Sequence, residues 1–135
     1  MNGFYVYCIR PKHASALPAK GVKFAKSIKV FPFKDIEAVV GEIDPSKLDG
    51  EKIKDKILDD PKWAEENIRA HHEVIDRAFQ TSIVIPMKFG MMYRTKISLV
   101  ETLEKYYRKF KSLISRLQDR KEWGVKAYLD HKKFI

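Results

Sequence analysis

The groups best equipped for chemistry lie together at His71-His72-Glu73 and Asp76. On a helix, residues four apart share a face, so His72 and Asp76 would offer two metal ligands to one side. Two are too few, because catalytic zinc takes three protein ligands and structural zinc four. The remaining histidines, His13 and His131, fall in a loop and a tail. The reading adopted is that His71 packs beneath the helix and donates to a backbone carbonyl, while His72 and Glu73 sit on its wet side. The single cysteine, Cys8, lies in an apolar segment and reads as a small buried hydrophobe with an inert thiol. No Gly-x-Ser-x-Gly frame exists, and the glycines, scattered at 3, 21, 41, 50, 90 and 124, form no phosphate loop. Asp59-Asp60 falls at a helix start, where capping and the helix dipole account for it. The expectation is therefore no enzyme: no catalytic residues, no metal and no cofactor.

Elements must position whatever function remains. The 135 residues are 44% hydrophobic and 12% aromatic, enough for one cored domain, and the apolar runs are far shorter than a membrane span of roughly 20 residues. The N-terminus lacks the basic start and cleavage site of a secretory signal, so a cytoplasmic location is expected. A formal net charge of +9 points to an acidic partner, and residues 1–34 carry seven Lys and Arg with no Asp or Glu.

Gly3–Ile9 is apolar on both alternating sets, Phe4, Val6, Cys8 against Tyr5, Tyr7, Ile9, as in a strand buried on both faces. Arg10 to Gly21 reads as a loop, Val22–Phe33 as a strand closed by Pro32, and Ile36–Ile43 as a third strand. A short helix is expected over Leu48–Leu58, with Asp49-Gly50 interrupting its start. Asp60-Pro61 marks a helix running to Phe79, with Trp63, Ala64, Ile68, His71, Val74, Ile75 and Phe79 as its packed stripe. Thr81–Lys88 reads as a strand that Phe89-Gly90 turns away. Thr95 caps a helix to Leu117 whose stripe is Ile97, Val100, Leu103, Tyr107, Phe110, Ile114 and Leu117. Trp123–Leu129 alternates as a last strand. The order suggests an α+β fold, a ferredoxin-like sandwich with a mixed sheet of four to five strands and helices packed on one face.

Three segments in order, Asp60-Pro61-Lys62-Trp63 with Ala70-His71-His72-Glu73-Val74, then Ile85-Pro86-Met87-Lys88-Phe89-Gly90, then Glu122-Trp123-Gly124-Val125-Lys126, together with Tyr5-Val6-Tyr7, resemble the gas-vesicle accessory protein F/L family. Met91 and Cys8 depart from its pattern. The resemblance, from about Gly3 to Asp130, implies the family's ferredoxin-like first domain, cytoplasmic gas-vesicle assembly without catalysis, and contact with the small hydrophobic shell protein and other accessory proteins. Such proteins usually continue into a second domain, so residues 1–135 are expected to form a single domain with the usual second one absent.

The expected protein-binding residues are Met87, Phe89, Met91, Met92 and Tyr93, because methionine and aromatic side chains adapt to apolar partners. For Met87 and Phe89 a core role is the competing reading. An alternative function is RNA binding, with Tyr5, Tyr7 and Tyr128 as a stacking platform beside Lys126. Against it stands the lack of an RNA-recognition sequence run. The basic residues Lys105, Arg108, Lys109, Lys111 and Arg116 read as a solvated helix face.

Overall fold

The computed structural model describes residues 3–12 and 17–122. Strand β1 (Gly3–Pro11) is buried from Gly3 to Arg10. A strand apolar on both faces must be covered twice, and that requirement organises the chain. β2 (Ile28–Phe33), β3 (Ile36–Ile43), β4 (Ile85–Pro86) and β5 (Met92–Tyr93) join it in one sheet ordered β2-β3-β1-β4, with β5 pairing β1 further along. Three helices complete the described part: α1 (Gly50–Asp59), α2 (Pro61–Thr81) and α3 (Lys96–Glu122). The chain is α+β, as expected.

Two details of the expected architecture are corrected. Every pairing among the described residues is antiparallel, so no mixed sheet appears there. The helices also divide between the two faces instead of sharing one. Leu99, Leu103, Phe110, Ile114 and Leu117 of α3 pack on Phe4, Val6, Ile9, Ile36, Ala38 and Val40. Val74, Ile75 and Ala78 of α2 pack on Tyr5, Tyr7, Cys8 and Val39. A β-bulge between Val6 and Cys8 puts the consecutive residues Tyr7 and Cys8 into the same core, on the α2 side.

Local chemistry explains most boundaries. Asp49 and Asp60 cap α1 and α2 by accepting the amides of Lys52 and Trp63, and Thr95 Oγ1 accepts the amide of Ser98 at the head of α3. Asp49-Gly50, expected to interrupt the first helix, starts it. The segment Val22–Ser27 is a turn rather than the expected strand, because side chains take the amides of its first two residues. The Val22 amide donates to the Tyr7 hydroxyl at 2.9 Å and the Lys23 amide to Asn67 Oδ1 at 2.7 Å. The strand expected over Thr81–Lys88 shrinks to β4, with α2 extending to Thr81 and Pro86 unable to donate to a ladder. The expected strand Trp123–Leu129 lies outside the described residues.

The buried stripe of α3 is also out of phase with expectation at its start. Leu99, not Ile97, is buried, and Ile97 is 71% exposed. Two residues turn a helix by about 200°, so Ile97 and Leu99 cannot face the same sheet. Leu103→Ala is accordingly expected to lower stability by about 2–5 kcal/mol, and Ile97→Ala to change it by less than about 0.5 kcal/mol. Urea denaturation of the two variants checks the phase; equal losses would overturn it.

Candidate functional site

His71 lies at the centre of a buried polar network on the α2 side. Its Nε2 is 2.8 Å from the Met87 carbonyl oxygen, which can only accept, so Nε2 carries the proton. Nδ1, 2.7 Å from the Tyr5 hydroxyl, is then the acceptor and Tyr5 donates to it. The same hydroxyl accepts from the Gly90 amide at 3.2 Å. Tyr7 stacks on the His71 ring, and Phe89 and Tyr5 meet it edge-on. One histidine thus joins α2, β1 and the 87–90 segment. The backbone carbonyl donation expected for His71 is present, while His72 and Asp76 are exposed. Among the described residues no group of three metal-ligating side chains converges, and His13 and His131 lie outside them.

Burial governs the ionisable groups here. It pushes the Tyr7 hydroxyl up to about 12 from an ordinary 10.0, and the Cys8 thiol up to about 12 from 9.0. The Tyr5 hydroxyl is raised still further by burial, partly offset by the Gly90 amide. Cys8 is fully buried and stays a thiol in the folded chain, so it is no nucleophile. Tyr5 and Tyr7 are 0% exposed, which removes both from the RNA-stacking platform of the alternative reading; Tyr128 and Lys126 lie outside the described residues.

The five expected contact residues separate. Met87 is buried in the α3-side core and half-buried Phe89 packs against the α2-side core. Met91, Met92 and Tyr93, each half-buried, come together along a cleft of about 520 Å³. Its other apolar walls are Ile43, Pro45 and Leu48, at the end of β3 and the approach to α1. Asp49, Glu51, Lys54 and Arg94 add charge to the lining, with Arg94 3.7 Å from Asp49. Gly90, at φ 92°, makes the turn into the 91–93 segment, a backbone state that favours glycine. Met92 and Tyr93 pair with Tyr5 and Phe4 as β5, so a short strand follows the turn. Sequence reasoning missed Ile43, Pro45 and Leu48; the only local signal was the cap at Asp49, which fixes where α1 begins.

Two of these raised groups, Cys8 and Tyr7, set a pH dependence that can be followed. The unfolded chain releases the Cys8 and Tyr7 protons near 9.0 and 10.0, whereas the folded chain holds them to about 12. Their contribution is therefore fully present below pH 9 and lost as pH rises to about 12. Denaturant midpoints measured across pH 8–12 should fall over that window, and Tyr7→Phe should flatten the part above pH 10; an unchanged slope would refute the assignment. At neutral pH, Tyr5→Phe should cost about 1–3 kcal/mol by withdrawing the hydroxyl from Gly90 and His71.

Comparison with known proteins gives this geometry a family. The sequence matches the family described as gas vesicle synthesis protein GvpL/GvpF over residues 3–135. It is 26% identical over 128 residues to gas vesicle protein F1 of Halobacterium salinarum, covering 93% of this chain and 54% of that protein. It is 27% identical over 128 residues to gas vesicle protein L of a Streptomyces species, covering 93% of this chain and 47% of that one. The chain thus spans about half the length of the curated relatives it matches. No solved structure matches it. With the match running over nearly all its residues, the chain belongs to the gas vesicle synthesis protein GvpL/GvpF family.

Proposed function

We propose that this chain is a non-catalytic accessory protein of gas-vesicle assembly, acting in the cytoplasm and at the vesicle, and that it binds the small hydrophobic shell protein. The observation that carries the reading is the cleft walled by Met91, Met92 and Tyr93 with Ile43 and Leu48. A subunit with a large apolar surface aggregates unless another surface covers it before polymerisation. Methionine suits that task because its unbranched, polarizable side chain repacks against different partners. The charged groups at Asp49, Glu51, Lys54 and Arg94 would orient an incoming segment without supplying much affinity. The same contacts would limit aggregation of the shell protein or aid nucleation of the vesicle. Other accessory proteins are further partners on this reading, and specific recognition of RNA is not, since Tyr5 and Tyr7 are fully buried. No helix among the described residues is long and apolar enough to cross a membrane.

Gly50 offers a test that spares the core. It lines the cleft, and a Cβ added there meets nothing within 4 Å. Gly50→Trp should fill the cleft, leave the melting temperature at or slightly above the wild-type value, and weaken capture of the shell protein by about 1–3 kcal/mol. Met91→Ser should weaken capture in the same range, with some loss of stability because Met91 is half-buried. Pull-down with the shell protein and thermal melting of both variants decide the matter. Full capture by both would remove the cleft from the reading.

A further inference from the structure

We propose that the turn spanning residues 20–27 is a second recognition site, built for carboxylate groups, and that its occupant is an acidic segment of a protein partner. Lys20, Lys23 and Lys26 flank a cleft of about 410 Å³ whose remaining walls are Gly21, Val22, Ala25 and Ser27. No acidic residue lines it, and all three lysines are exposed. Lys23 Nζ lies 2.7 Å from Glu66, which takes up part of that charge. Lys26 helps to hold the Glu42 carboxyl low, after the larger effect of Lys29. Lys20 and Lys26 add two further exposed ammonium groups at the cleft.

The backbone beneath these lysines is fixed from several sides. Val22 donates to the buried Tyr7 hydroxyl and Lys23 to the fully buried Asn67. The Lys26 amide bonds the Glu42 carbonyl at 2.9 Å, and the Ile28 amide bonds the Ala19 carbonyl at 3.0 Å, closing the base of the turn. Gly21 lies so close to Tyr7 that a Cβ there would be 2.2 Å from the hydroxyl oxygen. A turn held this way loses little backbone freedom when a ligand arrives, which is the condition under which a few surface charges can yield selective binding.

The surroundings favour an acidic peptide over a single-stranded nucleic acid. Lysine ammonium groups pair with carboxylate and phosphate alike, and no arginine fork lines the cleft to grip either one bidentately. Nor is an aromatic face offered to a base: the Phe24 ring is stacked on Trp63 at 5.6 Å and meets Tyr5 edge-on at 5.1 Å. The site is separate from the methionine-walled cleft in its lining residues and stands or falls independently of it.

A fluorescein-labelled oligoglutamate peptide is the probe, followed by anisotropy at low and at physiological salt. The variant K20Q/K23Q/K26Q should raise its Kd by about tenfold at low salt. The variant K105Q/R108Q/K109Q removes the same charge from α3 and should raise it by less than about threefold. Amide resonances of residues 20–27 in the wild-type protein should shift as peptide is added, a readout that needs no variant to fold. Equal weakening by both variants would reduce the effect to net charge and overturn the site, as would shifts confined to other residues or no binding at all. Tighter binding of a single-stranded oligonucleotide of equal charge, lost in the same turn variant, would overturn the carboxylate assignment in favour of phosphate.

Discussion

The hydrogen bond from the Tyr5 hydroxyl to His71 Nδ1, 2.7 Å long and buried, is the contact on which the rest of the arrangement depends. A neutral imidazole has one donor and one acceptor, and here each has a fixed partner on a different element. The donor is committed to the Met87 carbonyl and the acceptor to Tyr5, whose oxygen also receives the Gly90 amide. A buried polar network whose members are all satisfied specifies one geometry, whereas losing one member leaves others to be desolvated for nothing. Helix α2 is thereby registered against β1, and the chain leaving β4 is held where Gly90 must turn.

That turn determines where the methionines go. After Gly90 the chain resumes its pairing with β1, so that Met92 and Tyr93 lie opposite Tyr5 and Phe4. The two half-strands β4 and β5 run in the same direction along one neighbour, and the residues between them only interrupt the pairing. A two-faced central strand also explains why the helices cannot sit on one side. Phe4, Val6 and Ile9 need α3 while Tyr5, Tyr7 and Cys8 need α2. Arg10 and Glu37 form a buried pair at 2.8 Å, paired across β1 and β3, with Arg10 Nη1 lacking a hydrogen-bond partner. Such a pair fixes strand register more than it adds stability.

What could be read from the sequence was what local chemistry decides. Asp60-Pro61 marked the start of α2 because a cap and an N-terminal proline act within one turn. Ile36–Ile43 was legible as β3 end to end, and the doubly apolar pattern of Gly3–Ile9 correctly announced a strand buried on both sides. That same pattern already argued against helices on one face, an implication the element order obscured. Other features were set by distant partners. Val22–Ser27 has strand-like composition, yet the amides of Val22 and Lys23 are claimed by Tyr7 and by Asn67, 15 and 44 residues away. β5 is two residues long, too short for any periodicity to register. The cleft joins residues 43–54 to residues 90–94, and only tertiary packing brings them together.

A protein proposed to handle an apolar subunit must offer apolar surface without associating with itself, and the structure distributes that surface accordingly. Met91, Met92 and Tyr93 are half-buried in a cleft whose lining includes charged residues, so no flat apolar patch is left exposed there. The edge of the sheet at β2 presents Lys29 and Pro32, a charge and a residue with no amide proton, both of which discourage an incoming strand. Val30, 41% exposed beside them, is an isolated apolar residue on that edge. On the proposed reading, capture through side chains in a recess, with backbone pairing discouraged at the β2 edge, favours a reversible contact over the extended sheet addition that leads to aggregates.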